Sequence, residues 1–317
     1  MPLPDRVAFT VFGAPIYWYG LLIMSGLVAG GLLAAAREKR LGLKKDTAID
    51  FMLLCVPLAL ICARAYYVAF EWRQYAENLW LVFDVRGGGM AIYGAILGGA
   101  LAALIFSRRR RAPFGLLADL AAPSLAIGQA IGRWGNFVNQ EAYGRAVEAA
   151  HMRFFPLAVY IEATGQWHYA TFFYESAWCF LLCAGLLIAE RKKAFYRPGD
   201  LFWWYALLYA VERALVEGLR TDSLWWGPIR VSQALSLLVL AAGLVWFFLR
   251  ARHNLRWIYL AIGIVSASAF VLSMPGGAPI GAWLPAAAVC CLLASAAALY
   301  GTGRRAATQP MEDGQNQ

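Results

Sequence analysis

The chain is divided into apolar blocks of roughly 18 to 22 residues, separated by short charged or turn-forming segments. At 1.5 Å per residue, a block of that length makes an α-helix able to cross about 30 Å of hydrocarbon. A membrane β-barrel would instead need segments of about ten residues with alternating polarity. The composition agrees with helical spans: 61% of the 317 residues are hydrophobic and 15% charged, against about 45–50% and 25% in soluble domains. The predicted fold class is therefore an all-α integral membrane protein.

Nine spans are expected, near 14–36, 48–70, 88–107, 115–134, 171–190, 199–218, 231–249, 257–274 and 280–300. The first is too long and too poorly flanked for a cleaved signal peptide and is expected to stay as a helix. Net charge is +9, which in a soluble chain would suggest nucleic acid. The positive residues fall instead after every second span. Arg37, Lys39, Arg40, Lys44 and Lys45 follow the first, Arg108 to Arg111 the third, and Arg191, Lys192, Lys193 and Arg197 the fifth. Arg250, Arg252 and Arg256 follow the seventh, and Arg304 and Arg305 the ninth. These five sites hold 18 of the 28 Lys and Arg residues, so the positive-inside rule places them in the cytoplasm, with the N-terminus outside and the C-terminus inside. Topology and anionic lipid account for the run RRRR, and no nucleic-acid partner is expected.

The six cysteines, Cys55, Cys62, Cys179, Cys183, Cys290 and Cys291, lie in apolar blocks without metal-ligand spacing. His151, His168 and His253 are scattered, so no metal or other cofactor is expected.

Polar residues at membrane depth carry the functional information, since a charge there costs roughly 2.5 to 3.5 kcal/mol on insertion scales unless paired or hydrated. Arg64 lies in the second span, Asp119 near the inner end of the fourth, and Glu175 opens the fifth. The sixth ends YAVERALVEGLRTDS, with Glu212, Arg213, Glu217, Arg220 and Asp222. The fourth ends in GRWGNFVNQEAYGR, residues 132–145. Arg213 and Glu217, four apart, also read as a plain intrahelical ion pair. Arg64, Arg133, Arg213 and Arg220 together exceed the counter-charge that Glu141, Glu175, Glu212 and Glu217 obviously supply in one place, so an arginine is expected to await an anion. A guanidinium fork suits phosphate, and a phospholipid headgroup is the phosphate at hand.

VRGGGMAIYGAILGGA, residues 85–100, surrounds Tyr93 with glycines. Gly94, Gly98 and Gly99 read as small-residue helix packing, whereas Gly87 to Gly89 would break a helix. Asn136 and Asn139 would orient a polar ligand or cap the helix end.

The pattern Gly132, Arg133, Gly135, Asn136, Phe137, Asn139, Glu141 and Gly144 resembles the signature of the prolipoprotein diacylglyceryl transferase family. YWYG at 17–20, Arg64, GGMAIYGAILGG before RRRR, Asp119, Tyr174–Glu175, RALVEGLRTDS and Gln233 follow in the family's order. The resemblance covers roughly residues 13–250, seven of the nine spans. It implies a membrane domain over 1–256 with an external head segment about 145–170, followed by an added hairpin over 257–302 and a polar cytoplasmic tail over 303–317.

The resemblance further implies transfer of the diacylglyceryl group of phosphatidylglycerol to the lipobox cysteine of a prolipoprotein in the bacterial inner membrane, with glycerol phosphate leaving. Signal peptides bearing the lipobox, phosphatidylglycerol and membrane lipids are the implied partners. Arg133 and Arg213 would bind the phosphate, Asn136, Asn139, Glu141 and Gly144 would order the headgroup site, and Tyr19 would line the lipid site. Glu217 and Arg220 would hold that wall, with Arg64, Asp119 and Glu175 supporting it. Tyr93 occupies the position that often carries histidine in the family and would have to serve as the base. HWYG becomes YWYG, and the H-P-S-Q-L-Y-E before the fifth span keeps only Tyr174 and Glu175, with His168 one position away from the family's histidine. A diverged family member that binds phosphatidylglycerol but is inactive or transfers to another acceptor, and a non-enzymatic anion or lipid transporter, stay open as alternatives; the second would require internal repeats, which the sequence lacks.

Overall fold

The structure is a computed structural model that describes residues 6–84, 88–192, 197–222, 225–226 and 229–250. Among them seven long helices occur: α1 (Trp18–Glu38), α2 (Thr47–Phe70), α4 (Ile92–Arg110), α5 (Phe114–Asn139), α6 (Thr171–Arg191), α7 (Asp200–Glu217) and α8 (Val231–Arg250). The short helix α3 (Trp72–Tyr75) follows α2. All of the seven but α7 are long and apolar enough to cross a membrane. Helix α7 has the length but carries Asp200, Glu212, Arg213 and Glu217. The protein is thus a multi-pass helical membrane protein. The spans expected at 257–274 and 280–300 lie outside the described residues, as does the tail.

The bounds of three spans differ from the sequence reading, the third running over Ile92–Arg110 rather than 88–107. The first span does not begin at 14: Ala14–Tyr17 (β2) pairs antiparallel with Val7–Val11 (β1), and α1 starts at Trp18. Val11 and Ala14 close a two-residue turn whose Phe12 and Gly13 have φ of 47° and 82°, the backbone that a type I′ hairpin requires. The fourth span does not end at 134, for α5 runs on to Asn139. Trp134 and Phe137 explain the extension, because their rings pack on Phe172 of α6. Two further hairpins, β3 (Ala158–Ile161) with β4 (Gln166–Tyr169) and β5 (Trp225–Trp226) with β6 (Ile229–Arg230), add short strands to the expected all-α membrane fold.

The residues form two compact units. One comprises Leu27–Leu125 with Arg197–Phe202. Several of its backbone irregularities are answered by a side chain, as a membrane interior favours. Pro123 lies inside α5 and has no N–H to offer the carbonyl four residues back. That carbonyl, of Asp119, accepts instead from Arg37 Nη2 at 3.0 Å, while Nη1 donates to Leu120 O at 2.8 Å. Arg37, 2% exposed, is therefore a structural residue rather than one of the exposed topology charges. Its neighbour Glu38 accepts from the N–H groups of Asp46 (2.8 Å) and Ala48 (3.0 Å), serving donors at the start of α2 that have no helical partner. Asp119 does the same for α7, accepting from Gly199 N at 2.7 Å and Phe202 N at 2.9 Å.

Arg64, buried in α2, uses all five of its N–H donors on backbone carbonyls. Nε donates to Val82 (2.9 Å), Nη1 to Gly88 (2.8 Å) and Gly89 (2.9 Å), and Nη2 to Leu81 (2.5 Å) and Asp84 (2.8 Å). One guanidinium thereby orders the segment that leads into α4. Tyr93, in the first turn of α4, is half-buried with its ring 6.3 Å from that of Tyr66. Helices α2 and α4 meet through glycine: a Cβ on Gly98 would lie 2.7 Å from Leu58 O and 2.8 Å from Ala59 Cα.

The other unit comprises the described parts of Met1–Gly26, Ala126–Tyr196 and Trp203–Gln317. Here α1 and α5 approach so closely that a Cβ on Gly26 would sit 3.1 Å from Gly128 O. Leu207, Ala210 and Val211 of α7 bury against Leu240 of α8. Hydrophobic transfer supplies little of this cohesion in lipid, so close packing carries it. The β3–β4 hairpin packs Val159 and Ile161 on Ala170 and Phe172, with Phe137, Tyr143 and Phe173 around them.

Gly98→Leu is expected to disrupt the α2–α4 contact, because backbone rather than a movable side chain meets the added group. The unfolding temperature of the detergent-purified variant should fall by several degrees, and an unchanged value would contradict this packing.

Candidate active site

Helix α5 ends in a Schellman turn, with Glu141 N–H on Asn136 O (3.0 Å) and Gln140 N–H on Phe137 O (3.1 Å). Gln140 takes the left-handed conformation (φ 53°) that glycine often fills. The turn swings Glu141 back over the helix, where its Oε1 accepts from Asn136 Nδ2 at 2.8 Å and Asn139 Nδ2 at 3.4 Å. Asn136 Oδ1 in turn accepts from Arg133 Nη1 at 3.4 Å. The motif is thus one polar chain from an exposed carboxylate to a half-buried guanidinium. Gly135 admits Tyr19, since a Cβ there would lie 2.6 Å from the ring; Glu141 and Arg133 are within electrostatic reach of that tyrosine.

Arg133 also pairs with Glu175 of α6, the hub of the site. Arg213 Nη1 lies 3.1 Å from Glu175 Oε1, and Arg220 Nη1 3.7 Å from the same oxygen. Arg213 Nη2 reaches Glu217 at 2.7 Å. Arg220 holds Asp222 through two hydrogen bonds, from Nε (2.9 Å) and Nη2 (2.7 Å). Arg230 donates to the carbonyl of Glu217. Glu175 and Glu217 are 1% and 2% exposed, whereas the three arginine side chains are 13% to 20% exposed. A ligand from outside therefore meets guanidinium groups backed by carboxylates, a surface suited to an anion.

This corrects the expected shortage of counter-charge: each arginine of the group already has a carboxylate partner. Sequence reading names Glu175 as one of several acids and Asp222 among the charges that end the sixth span, without pairing either, while Arg230, just before an apolar span, offers no helical spacing to notice. Glu212 lies beside the group on α7 and is 3% exposed.

Gly144 is buried against the β3–β4 hairpin. A Cβ there would lie 2.8 Å from Tyr169 Cβ and 3.1 Å from Thr171 Cγ2. Its N–H donates to Tyr169 O at 2.9 Å, and its carbonyl lies 2.8 Å from His168 Nδ1. The other ring nitrogen of His168 is 2.8 Å from Thr164 Oγ1, so both are engaged in fixing the hairpin. Tyr174 donates to Leu157 O. Arg64, Asp119 and Tyr93 belong to the first unit, in the positions given above. Among the described residues no group of His, Cys, Asp and Glu could hold a metal.

The prolipoprotein diacylglyceryl transferase family profile matches residues 6–249. The chain belongs to this family. A Bacillus cereus (strain G9842) relative named phosphatidylglycerol–prolipoprotein diacylglyceryl transferase is 43% identical over 258 residues, covering 80% of this chain and 94% of its own length. Relatives of the same name from Bacillus cytotoxicus (strain DSM 22905 / CIP 110041 / 391-98 / NVH 391-98) and Bacillus anthracis (strain CDC 684 / NRRL 3495) are 43% and 42% identical over 259 residues. Each covers 80% of this chain and 94% of its own length. Family membership places the ion-paired arginines in a protein class whose named relatives act on an anionic phospholipid.

Asp222 supplies a pH test outside the spans. Burial alone would raise its pKa, but the two hydrogen bonds and the charge of Arg220 outweigh that and hold it below the usual value. A carboxylate whose folded pKa is depressed stabilises the fold above its unfolded pKa of about 3.9 and loses that contribution as pH falls through the folded value. The gap in unfolding temperature between wild type and Asp222→Asn should be open above the unfolded pKa and narrow as pH falls below it. A gap independent of pH would exclude this pairing as its source.

Proposed function

We propose that the chain transfers the diacylglyceryl group of phosphatidylglycerol to the lipobox cysteine of a prolipoprotein. The carrying observation is the arginine face of Arg133, Arg213 and Arg220 gathered on Glu175. Sulfur attacks the glycerol carbon, a C–S bond forms, and the C–O bond to phosphate breaks with its electron pair passing to the phosphate oxygen. Glycerol phosphate leaves and a thioether remains. Charge grows on that oxygen along the reaction, so positioned guanidinium groups bind the transition state more strongly than the ground state.

In this reading Arg133 and Arg213 hold the phosphate, and Asn136, Asn139 and Glu141 order the headgroup glycerol. Tyr19 lines the lipid site, while Arg220 and Glu217 hold the wall behind it. Gly144 lets the outer hairpin close against the motif. Tyr93 is the residue assigned to accept the thiol proton. Arg64, Asp119 and Glu175 act through the geometry described above. The enzyme resides in the bacterial cytoplasmic membrane with the site at its outer face, where translocated signal peptides arrive, the N-terminus outside and the C-terminus inside. That orientation is favoured by the basic residues after α1 and α4, Lys39, Arg40, Lys44 and Lys45 with Arg108 to Arg111.

Mass spectrometry of a lipobox peptide incubated with the detergent-purified chain and phosphatidylglycerol tests the proposal. Wild type should add a diacylglyceryl mass to the cysteine, and Arg133→Ala should lower the rate by about a hundredfold or more, the scale of losing a charge-stabilising donor. Binding of phosphatidylglycerol without any mass gain in wild type would instead identify a non-transferring binder.

A further inference from the structure

Four carboxyl groups surround the arginine face, and three of them are committed. Glu175 is shared by Arg133, Arg213 and Arg220; Glu217 pairs with Arg213; Asp222 pairs with Arg220. Glu212 differs. Its side chain is buried, yet neither Oε1 nor Oε2 has a hydrogen-bond partner among the described residues. A buried polar group without a partner is costly and calls for an explanation.

The surroundings of Glu212 come from three helices and the loop after α7. Arg133 faces it from α5, Glu175 and Cys179 from α6, Tyr209 and Arg213 from α7, and Arg220 from the loop. Each of the other three carboxyls would have to give up an ion pair to exchange a proton. Of the four carboxyls buried among or paired with these arginines, Glu212 alone can do so without breaking an ion pair, and it lies within the electrostatic range of Arg133 and Arg213, the two groups assigned to the phosphate.

We propose that Glu212 is the proton-exchanging carboxyl of the transfer step. As the C–O bond breaks, Glu212 passes its proton to the phosphate oxygen that receives the electron pair, so glycerol phosphate departs with one negative charge fewer. The thiol loses one proton when the C–S bond forms, and that proton restores Glu212, leaving the cycle balanced. This limits product retention too, since an arginine face holds a doubly charged phosphate more tightly than the singly charged ester that entered.

The inference rests on the proposed transferase reading, and the experiment separates the two. The rate of diacylglyceryl transfer to the lipobox peptide is measured against phosphatidylglycerol concentration between about pH 5.5 and 9, for wild type, Glu212→Gln and Glu212→Asp. Absence of transfer by wild type defeats the underlying reading. With wild type active, Glu212→Gln should lower kcat about a hundredfold, leave KM within about twofold and remove one limb of the pH profile, with Glu212→Asp recovering part of the rate. A Gln variant with kcat within about threefold of wild type, or one whose loss lies in KM, overturns the assignment. Should Glu212→Gln fail to purify as a folded protein, Glu212→Asp decides: a lowered kcat at unchanged KM supports the proton role, and an unchanged kcat and pH profile overturns it.

Discussion

Burial of Glu175 is the interaction on which the functional unit depends. A carboxylate 1% exposed near the N-terminal end of a membrane helix requires compensation for its lost hydration. Three guanidinium groups provide it, from α5, from α7 and from the loop beyond α7. The same contacts therefore neutralise the charge and fix how those segments meet. Exchange of any one partner would leave its companions buried without a counter-ion, a larger penalty than loss of a surface pair. The conspicuous arginines are held by a glutamate that is itself almost invisible from outside.

The other unit solves a related problem with different chemistry. Its two buried arginines, Arg37 and Arg64, are spent on backbone. Arg37 takes the carbonyl that Pro123 leaves without its usual helical donor, and Arg64 satisfies five carbonyls of one segment. Asp119 and Glu38 serve helix N-termini rather than cations. An intramembrane charge is thus not a functional marker by itself. What distinguishes Arg133, Arg213 and Arg220 is that their partners are side-chain carboxylates, for which an arriving phosphate can compete. The backbone carbonyls around Arg64 leave no N–H to offer.

The seven described long helices were legible because length and hydropathy are set by the bilayer, and the motif after Gly132 was legible because its residues are consecutive. The hairpins were not. Strands of two to five residues, such as Val7–Val11, carry too little periodicity to separate from the apolar block that follows. The continuation of α5 through Gly132 and Gly135 was hidden because glycine lowers helix propensity, while the contacts that override it, Trp134 and Phe137 on Phe172 and Tyr19 on Gly135, are long-range. Counter-charge was misjudged for a similar reason. Asp222 lies two residues from Arg220 and was in view, yet only the turn after α7 shows that its two oxygens meet Nε and Nη2 of one guanidinium.

The arrangement also bears on how an already paired arginine face accepts a phosphate. A bare cluster of three guanidinium groups would bind a phosphodiester tightly and its more highly charged product more tightly still, which favours retention over turnover. Carboxylates beneath the arginines lower the field felt by the incoming headgroup while leaving N–H donors oriented toward it. Arg133 illustrates the balance: Nη2 is anchored by Glu175, while Nη1 makes only a long 3.4 Å contact to Asn136, an interaction that a phosphate oxygen can displace at small cost. In the proposed transfer, the buried acids preorganise the donors and temper their attraction, so binding energy is kept for the charge that appears only as the C–O bond breaks.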